Sequence, residues 1–526
     1  MRRLLVFALL FNGCVIGLRV LQEVPARAQE GAGAGTDACV ADPTLYSVDA
    51  NGDGALDISD PIYFLEWFFG GERPPPRICL AQPSALTTSE VLQLREILEH
   101  VSVTNIGHPN QALYRTVAIN GANLMVQNGA GGLRTTNGLG NLYIGLPSGD
   151  WTQRTGSHNL VVGEEHSFTS YGGIITGHGN TTSAPFASVT GGSSNRATAQ
   201  GASVTGGHGN HASGKDAAVT GGLGNTASGG QSSVSGGERN EATEAVASVS
   251  GGHFNLASAR HASVSGGNYN QAAGRYSSVS GGGGNTAGGN WSAVSGGGGP
   301  LNAVILEDES PQPDDEFVER GSGNFAFGNL TSISGGSNNS AGFGVIFPEG
   351  TAASVSGGVG NWAVALGSWA GGGEDNRVDA NFASVSGGSN NTADGEGSNV
   401  SGGFENTASG NRSNVSGGRR NVASGEFSSV SGGGGDDNLG NLASGDYASI
   451  SGGQKNEATG SGSTVSGGGF NTAEGEAATV SGGQANTAAG VVSTVSGGTS
   501  NHANGTASTV SGGSSNVATP TNEHLP

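Results

Sequence analysis

A hydrophobic residue returns every 15 residues along most of the chain, and a polar residue stands on each side of it. An inward side chain between two outward ones is the period of a β-strand. The pattern therefore predicts one short strand in every 15 residues. The positions are Val189, Val204, Val219, Val234, Val249, Val264, Val279 and Val294, then Val385, Val400, Val415 and Val430, then Ile450, Val465, Val480, Val495 and Val510, with Ile174, Ile333 and Val355 in the same slot.

Each unit approximates SSVSGGxxNTASGxx, as in the stretch 232–246. An Asn follows the valine by six residues, and a small residue, usually Ala, follows two later. The recurring glycine pair excludes a helix, since each glycine costs about 1 kcal/mol there. Glycine and Asn instead supply the backbone angles of tight turns. One unit is therefore one coil of strand, turn, short strand and turn.

When the coils stack, residues at the same position of the repeat lie directly above one another. Val and Ala columns then fill a thin interior, and the Asn column forms an amide ladder. The prediction is an all-β, parallel β-solenoid of 15-residue coils, about 20 coils and about 95 Å long. A Gly/Ser-rich disordered linker is the alternative that composition suggests. It does not explain a valine at every fifteenth position.

The chain has five predicted regions. A signal peptide spans 1–28, a small calcium-binding module 29–83, a helix with irregular capping strands 84–159, the solenoid 160–518 and a polar tail 519–526. The predicted helix covers Thr87–Val103. Breaks in the period near 300–327 and 366–380 indicate insertions that bulge from single turns, either as recognition loops or as tolerated ones.

The first residues predict export. Two arginines precede an apolar run, Leu4–Leu21, and Ala26–Ala28 is a small-x-small cleavage signal. A retained anchor helix is the alternative, but Asn12, Gly13 and Arg19 interrupt the run. No later segment is apolar enough to span a bilayer. We expect a secreted, extracellular protein, free or associated with the cell surface by other means.

The net charge restricts the possible partners of the protein, and the cysteines bear on its N-terminal module. The net charge is −21 and only Lys215 and Lys455 are lysines, which disfavours nucleic-acid and anionic-membrane partners. Cys39 and Cys79 remain after export to an oxidising compartment. A disulfide between them would close a loop of about 40 residues, worth roughly 4 kcal/mol. Two unpaired thiols are the alternative.

Between these cysteines lies an acidic loop, SVDANGDGALDISDP. Its oxygen-bearing residues stand at positions 1, 3, 5, 7, 9 and 12 of a calcium loop, with Gly54 at position 6 for the sharp turn. A helix that begins near Pro61 follows the loop. We expect Ca²⁺ here, and an Asp/Asn turn without metal is the alternative. The predicted ligands are Asp49, Asn51, Asp53, the Ala55 carbonyl, Asp57 and Asp60.

The loop resembles the dockerin type of EF-hand, because Asp60 stands where other EF-hands have a bidentate Glu. Residues 49–71 carry the resemblance. Dockerins use two such loops to bind a cohesin partner, and this chain has one. The resemblance implies calcium coordination and a cohesin-like partner.

The repeat SVSGGxxNTASG resembles the head of YadA-like trimeric autotransporter adhesins, over residues 160–518. That resemblance implies a left-handed parallel β-roll, a homotrimer and adhesion to an extracellular surface or matrix ligand. The chain departs from the family at the second apolar position, where it has Gly191, Gly206 and Gly236. It also lacks a recognisable coiled-coil stalk and membrane-barrel strands.

Three other functions compete with adhesion. An enzyme on a β-helix needs clustered acid and base groups, and His208, His211, His253 and His261 show no acidic partner in sequence. Ice binding would use the Ser-Val-Ser strands, although serine lacks the stiffening methyl of threonine. A scaffold component would dock through the calcium module. We expect a non-enzymatic structural or adhesive protein.

Overall fold

The computed structural model describes residues 101–107, 113–132, 134–145, 151–298, 323–342, 352–435 and 439–526, with scattered positions before residue 101. The chain divides into two compact units, Met1–Leu124 and Met125–Pro526.

The described part of the first unit contains short antiparallel pairs. Leu9–Phe11 pairs with Cys14–Ile16, and Val101–Gly107 pairs with Leu113–Ile119. Helical geometry is present within 92–100, which agrees with the predicted helix, but Val101 already begins a strand. The predicted helix end at Val103 is therefore wrong, because a β-branched valine packs better on the pleated surface of a hairpin.

The second unit is a parallel β-solenoid of about 23 turns, each about 15 residues long. It also contains one 3₁₀ turn, Trp151–Gln153. At about 4.8 Å per turn the stack is about 110 Å long. The predicted all-β parallel solenoid is thus confirmed, and each turn contributes one strand to each of two sheets.

The first sheet carries the Val column and has 24 parallel strands in the described residues. Its pairing runs in sequence order from the first strand to the last, so the ladder is open at both ends. The strands are Leu142–Ile144, Leu160–Glu164, Ile174–His178, Ser188–Val189, Ser203–Val204, Ala218–Val219, Ser233–Val234, Ser248–Val249, Ser263–Val264, Ser278–Val279, Ala293–Val294, Ser332–Ile333, Ser354–Val355, Trp369–Ala370, Ser384–Val385, Asn399–Val400, Asn414–Val415, Ser429–Val430, Ser449–Ile450, Thr464–Val465, Thr479–Val480, Thr494–Val495, Thr509–Val510 and His524–Leu525.

The second sheet carries the Ala column and has 22 described strands, again parallel and in register. They are Ser167–Phe168, Thr181–Thr182, Arg196–Ala197, His211–Ala212, Thr226–Ala227, Glu241–Ala242, Leu256–Ala257, Gln271–Ala272, Thr286–Ala287, Phe325–Ala326, Ser340–Ala341, Trp362–Ala363, Arg377–Val378, Thr392–Ala393, Thr407–Ala408, Val422–Ala423, Leu442–Ala443, Glu457–Ala458, Thr472–Ala473, Thr487–Ala488, His502–Ala503 and Val517–Ala518.

We number coil positions 1 to 15 on the turn Ser232–Val246. Positions 1, 3, 9 and 11 point inward, as Ser232, Val234, Asn240 and Ala242 show with at most 1% exposure. The interior is therefore only as wide as one valine facing one alanine. Where serine replaces alanine at position 1, its hydroxyl can donate to the carbonyl three residues earlier, as Ser292 does to Gly289 at 2.6 Å.

The Asn at position 9 forms the predicted ladder, and its bonds go mainly to the backbone. The Asn225 Oδ1 accepts the backbone N–H of Asn240 in the next coil at 2.9 Å. Its Nδ2 donates to the carbonyls of Gly221 in its own coil and Gly237 in the next, both at 2.9 Å. Each buried amide thus satisfies three backbone groups at the corner of the coil.

Two positions per coil, 8 and 15, adopt left-handed backbone angles whatever residue occupies them. Arg239 and Val246 have φ of 51° and 61°, and Tyr276 and Trp291 have φ of 58° and 59°. Such angles cost roughly 1–2 kcal/mol per residue outside glycine. The fold requires these angles because the backbone of each half of the coil changes direction at a single residue.

One predicted insertion is wrong. Near 366–380 the strands Trp369–Ala370 and Arg377–Val378 pair in register with the coils on both sides, so no residue is added. The consensus fails there because Trp369 replaces a serine and Ala370 replaces the valine. The Trp369 Nε1 donates to Ser356 Oγ at 3.0 Å, which keeps the large ring on the outside. For the insertion near 300–327, the regular coil resumes at residue 323, and 299–322 lie outside the described residues.

The two glycines of each pair have different roles. A Cβ on Gly237 (position 6, φ 83°) would stand 2.5 Å from Asn240 Nδ2 and 2.8 Å from the Gly252 nitrogen. A Cβ on Gly236 (position 5) would meet no atom within 4 Å. Only the second glycine is therefore required by the stacking of neighbouring coils.

We expect Gly237→Ala to lower the free energy of unfolding of its coil by more than about 2 kcal/mol, through strain and the loss of the Asn240 bonds. Gly236→Ala is the matched control, with an expected change within about 0.5 kcal/mol. Hydrogen exchange of the peptide 232–246, together with thermal unfolding, measures both. Equal effects of the two variants would contradict the assignment.

Candidate functional site

The predicted calcium loop and disulfide lie outside the described residues and remain predictions. This applies to the ligands Asp49, Asn51, Asp53, Ala55, Asp57 and Asp60, and to Cys39 and Cys79. The candidate sites that the structure does describe are on the outer surfaces of the solenoid.

The outer face of the first sheet is uncharged and rich in hydroxyls. Positions 2 and 4 point outward there, and position 5 is glycine in every described coil from 188 to 512. No charged residue occupies positions 2, 4, 5 or 6 within the described part of 188–511. Hydroxyls repeat about every 4.8 Å along the stack and about 6.6 Å across it. The charged residues of the described coils within 188–511 therefore lie at the other positions of the coil.

The two corners of the coil carry most of the chemistry. At position 8 the Phe254 and Tyr269 rings stack with centroids 5.0 Å apart, and the Arg239 guanidinium lies 5.2 Å above Phe254. At position 15, Tyr276 stacks on His261 at 4.6 Å and on Trp291 at 4.1 Å. In-register stacking thus produces columns of rings and cations along the rod.

A second Asx ladder, which the sequence analysis missed, follows position 14. Asn290 Oδ1 accepts the backbone N–H of Arg275 at 3.0 Å, one coil earlier. Asn381, Asn411 and Asp446 accept in the same way from Leu366, Glu396 and Glu426 at 3.2, 3.3 and 3.0 Å. Reading position 14 down the stack for Asn and Asp would have found this ladder.

The histidines have more partners than the sequence indicated. His253 Nε2 lies 3.8 Å from Glu238 Oε2, and its Nδ1 lies 2.9 Å from Asn268 Oδ1. The statement that His253 has no acidic partner is therefore wrong, because residues 15 apart become neighbours in the stack. In the described residues, no group of three or more His, Cys, Asp or Glu side chains converges as a metal site.

His166 takes the place of an Asn in the position 9 column. The backbone N–H of Asn180 donates to its Nδ1 at 3.3 Å, and its Nε2 donates to the Val162 carbonyl at 3.0 Å. A backbone amide always donates, so Nδ1 must be unprotonated and the ring neutral. Burial lowers the pKa of His166, and the charges of Arg154 and His178 lower it further.

The comparisons with known proteins add no relative. No protein family matches the chain, and no curated protein matches its sequence. Within the part of the chain that the structure describes, no helix has the length and apolar character needed to cross a bilayer. The functional argument therefore depends on the surfaces of the rod.

We expect acid to weaken the first turns of the solenoid through His166. A lowered pKa means that the unfolded chain binds the proton more tightly, so the stabilising effect of the neutral ring is present above pH 6.5, the ordinary histidine value. This stabilisation is lost as the pH falls through the lowered pKa of His166. A protonated Nδ1 would carry an N–H group that faces the backbone N–H of Asn180, and the hydrogen bond between them would be lost.

The measurement is hydrogen exchange of the peptide 160–182 between pH 7.5 and 5, corrected for intrinsic rates. His166→Asn supplies an amide that does not titrate, so the pH dependence of its local stability should flatten. His208→Asn, which changes an exposed histidine, should keep the wild-type dependence. A pH dependence that survives His166→Asn would exclude this residue as the source.

Proposed function

We propose that the mature chain is a secreted, non-enzymatic rod with a structural or adhesive role outside the cell or at its surface. One observation carries the proposal: an unbroken stack of about 23 turns presents repeated surface columns over about 110 Å. Such a surface favours many weak contacts with an extended partner over one enclosed site.

The proposal includes the left-handed roll and the homotrimer that the adhesin resemblance implies. The first-sheet face supports lateral association, because its glycines leave the backbone accessible and it carries no charge in 188–511. Rods of like charge repel one another, and this face adds no charge to that repulsion. An extracellular surface or matrix ligand would then meet the remaining faces.

The proposal also includes the calcium module at Asp49–Asp60, as a dockerin-type site that stabilises the N-terminal region or docks a cohesin-like partner. Hard carboxylate and amide oxygens at this spacing support Ca²⁺ over softer metals. Docking through the module would make the chain a scaffold component, and this role does not require a trimer.

Light scattering on a sizing column, in calcium buffer, should give residues 29–526 a mass three times that of one chain. A trimer would lead to adsorption assays on matrix-coated surfaces, where three rods should dissociate more slowly than one. A monomeric mass would contradict the trimeric adhesin and leave the scaffold as the surviving function.

Isothermal titration of residues 29–526 should show one Ca²⁺ per chain with a dissociation constant of about 10⁻⁴ M or tighter. Asp49→Ala should weaken binding at least tenfold, because it removes a carboxylate from position 1 of the loop. Asp42→Ala, just before the loop, is the matched control and should bind as the wild type does. Equal binding by the Asp49 variant would remove the calcium site from the proposal.

A further inference from the structure

The position 15 column from Phe382 to Ala477 is a stacked series that is interrupted at two glycines, Gly397 and Gly462. Phe427 and Tyr447 stack with centroids 5.1 Å apart and planes 9° from parallel, and the Arg412 guanidinium lies 5.3 Å above Phe427. Consecutive members of a column therefore occupy levels one coil apart. The column reads Phe382, Gly397, Arg412, Phe427, Tyr447, Gly462 and Ala477.

Gly397 leaves the level between Phe382 and Arg412 without a side chain. These two residues are two coils apart, which separates their levels by about 9.6 Å, enough for one ring between them. The Phe382 side chain is 62% exposed, and Gly397 is itself exposed. The atom nearest to a Cβ on Gly397 would be Arg412 Cγ, at 3.5 Å. The level is therefore open to solvent.

At two other glycines of these columns, a side chain of the next coil occupies the open level. At Gly201, also position 15, the Asp216 carboxylate of the next coil occupies the space that a Cβ would enter, and Asp375 does the same at Gly360, at position 8. Gly397 has no such neighbour, since Arg412 turns its guanidinium toward Phe427. Gly462, in the same column, also leaves its level open, but only Tyr447 forms a wall there, because the residue on its other side is Ala477. Gly397 has a long side chain on each side, Phe382 and Arg412.

Polar groups surround the edge of the gap. Asn381 and Asn411 use their Oδ1 atoms for the N–H groups of Leu366 and Glu396, at 3.2 and 3.3 Å, which leaves both amide nitrogens as donors. Glu396, at the level of Gly397, is exposed and offers an acceptor. The gap thus combines two stacking surfaces with donors and an acceptor at its rim.

We propose that this gap binds one pyranose ring of a neutral carbohydrate. A pyranose has two C–H faces, which suit the Phe382 ring and the Arg412 stem, and a rim of hydroxyls, which suits the two Asn side chains and Glu396. A flat aromatic ligand would contact the two walls but would form no hydrogen bonds with the rim groups. The carboxylates of Glu396 and Asp394 disfavour acidic sugars. The site does not rest on the proposed adhesive function, since it needs only the stack.

The test titrates the purified chain, residues 29–526, with hexasaccharides of glucose, mannose, galactose and N-acetylglucosamine, and with indole as a planar aromatic probe. Saturation-transfer NMR follows the sugar C–H protons. We expect at least one hexasaccharide to bind with a dissociation constant on the order of 1 mM or below. Phe382→Ala should weaken that binding, because it removes one wall of the gap.

Gly397→Phe is the decisive variant. It fills the gap with a ring that Phe382 and Tyr447 already show to be compatible with this backbone position, at φ of 58° and 59°. We expect at least a tenfold loss of sugar binding while the variant still unfolds cooperatively and well above the assay temperature, so the loss cannot be attributed to unfolding. Ala507→Phe, at position 15 between Val492 and Asn522, is the matched control and should bind as the wild type does.

Three results would overturn the proposal: no hexasaccharide bound at 10 mM, sugar binding that survives Gly397→Phe, or indole alone bound in a manner sensitive to Gly397→Phe. None of them bears on the trimer or on calcium, whose measurements use neither sugar nor these variants. Failure of the trimeric adhesin would likewise leave the gap and its test unchanged.

Discussion

The amide of the position 9 Asn is the interaction on which the solenoid depends. Asn225 joins its own coil to the next through Oδ1 and Nδ2, and at this corner the Gly237 carbonyl also accepts the backbone N–H of Leu223. The amide lies where a Cβ on Gly237 would stand, so position 6 has to be glycine. The period follows as well, because each amide must meet the same carbonyls one turn later. This geometry accounts for one glycine in every coil.

Because every corner of the ladder is alike, neighbouring coils stack in register. Residues at the same coil position therefore form columns along the rod, and sequence differences between coils appear as differences within a column. The interior leaves almost no freedom, since Val234 and Ala242 are both buried to within 1%. Variation is therefore confined to the outward positions, where a residue meets its counterparts 15 positions earlier and later. Stability in such a stack is close to a sum over neighbouring coils. A ring column such as His261, Tyr276 and Trp291 adds to that sum locally and does not affect distant turns.

The periodic elements were predictable because each contains a buried position that accepts almost only one residue type. The alanine and Asn columns and the two strands per coil followed from the spacing. The valine column did so with one error, because Ile175 and not Ile174 pairs with Val189 and is buried, whereas Ile174 is 40% exposed. The left-handed positions 8 and 15 did not follow from the spacing, because Arg239, Tyr276 and Trp291 are tolerated there and mark nothing in sequence. The pairing of His253 with Glu238 was missed although the 15-residue period implies it, since residues 15 apart lie side by side in neighbouring coils. Near 366–380 the sequence predicted an irregularity that the structure does not have. Trp369 departs from the repeat consensus, but the coil there keeps its length and its strand pairing. The calcium ligands from Asp49 to Asp60 lie outside the described residues, so no geometry tests that loop.

A perfect repeat has no unique site, since each coil offers the same surface as its neighbours. Specific recognition on such a rod requires a place where a column is interrupted while the backbone continues. Gly397 is such a place, because the turn around it keeps its strands Thr392–Ala393 and Asn399–Val400 in register and loses only a side chain. His166 is another, where a titrating ring replaces an amide without breaking the ladder. The regular surface of the rod suits an extended, repetitive partner. Because all other coils are alike, the rare substituted positions are the places where the rod can bind one ligand specifically or respond to one proton.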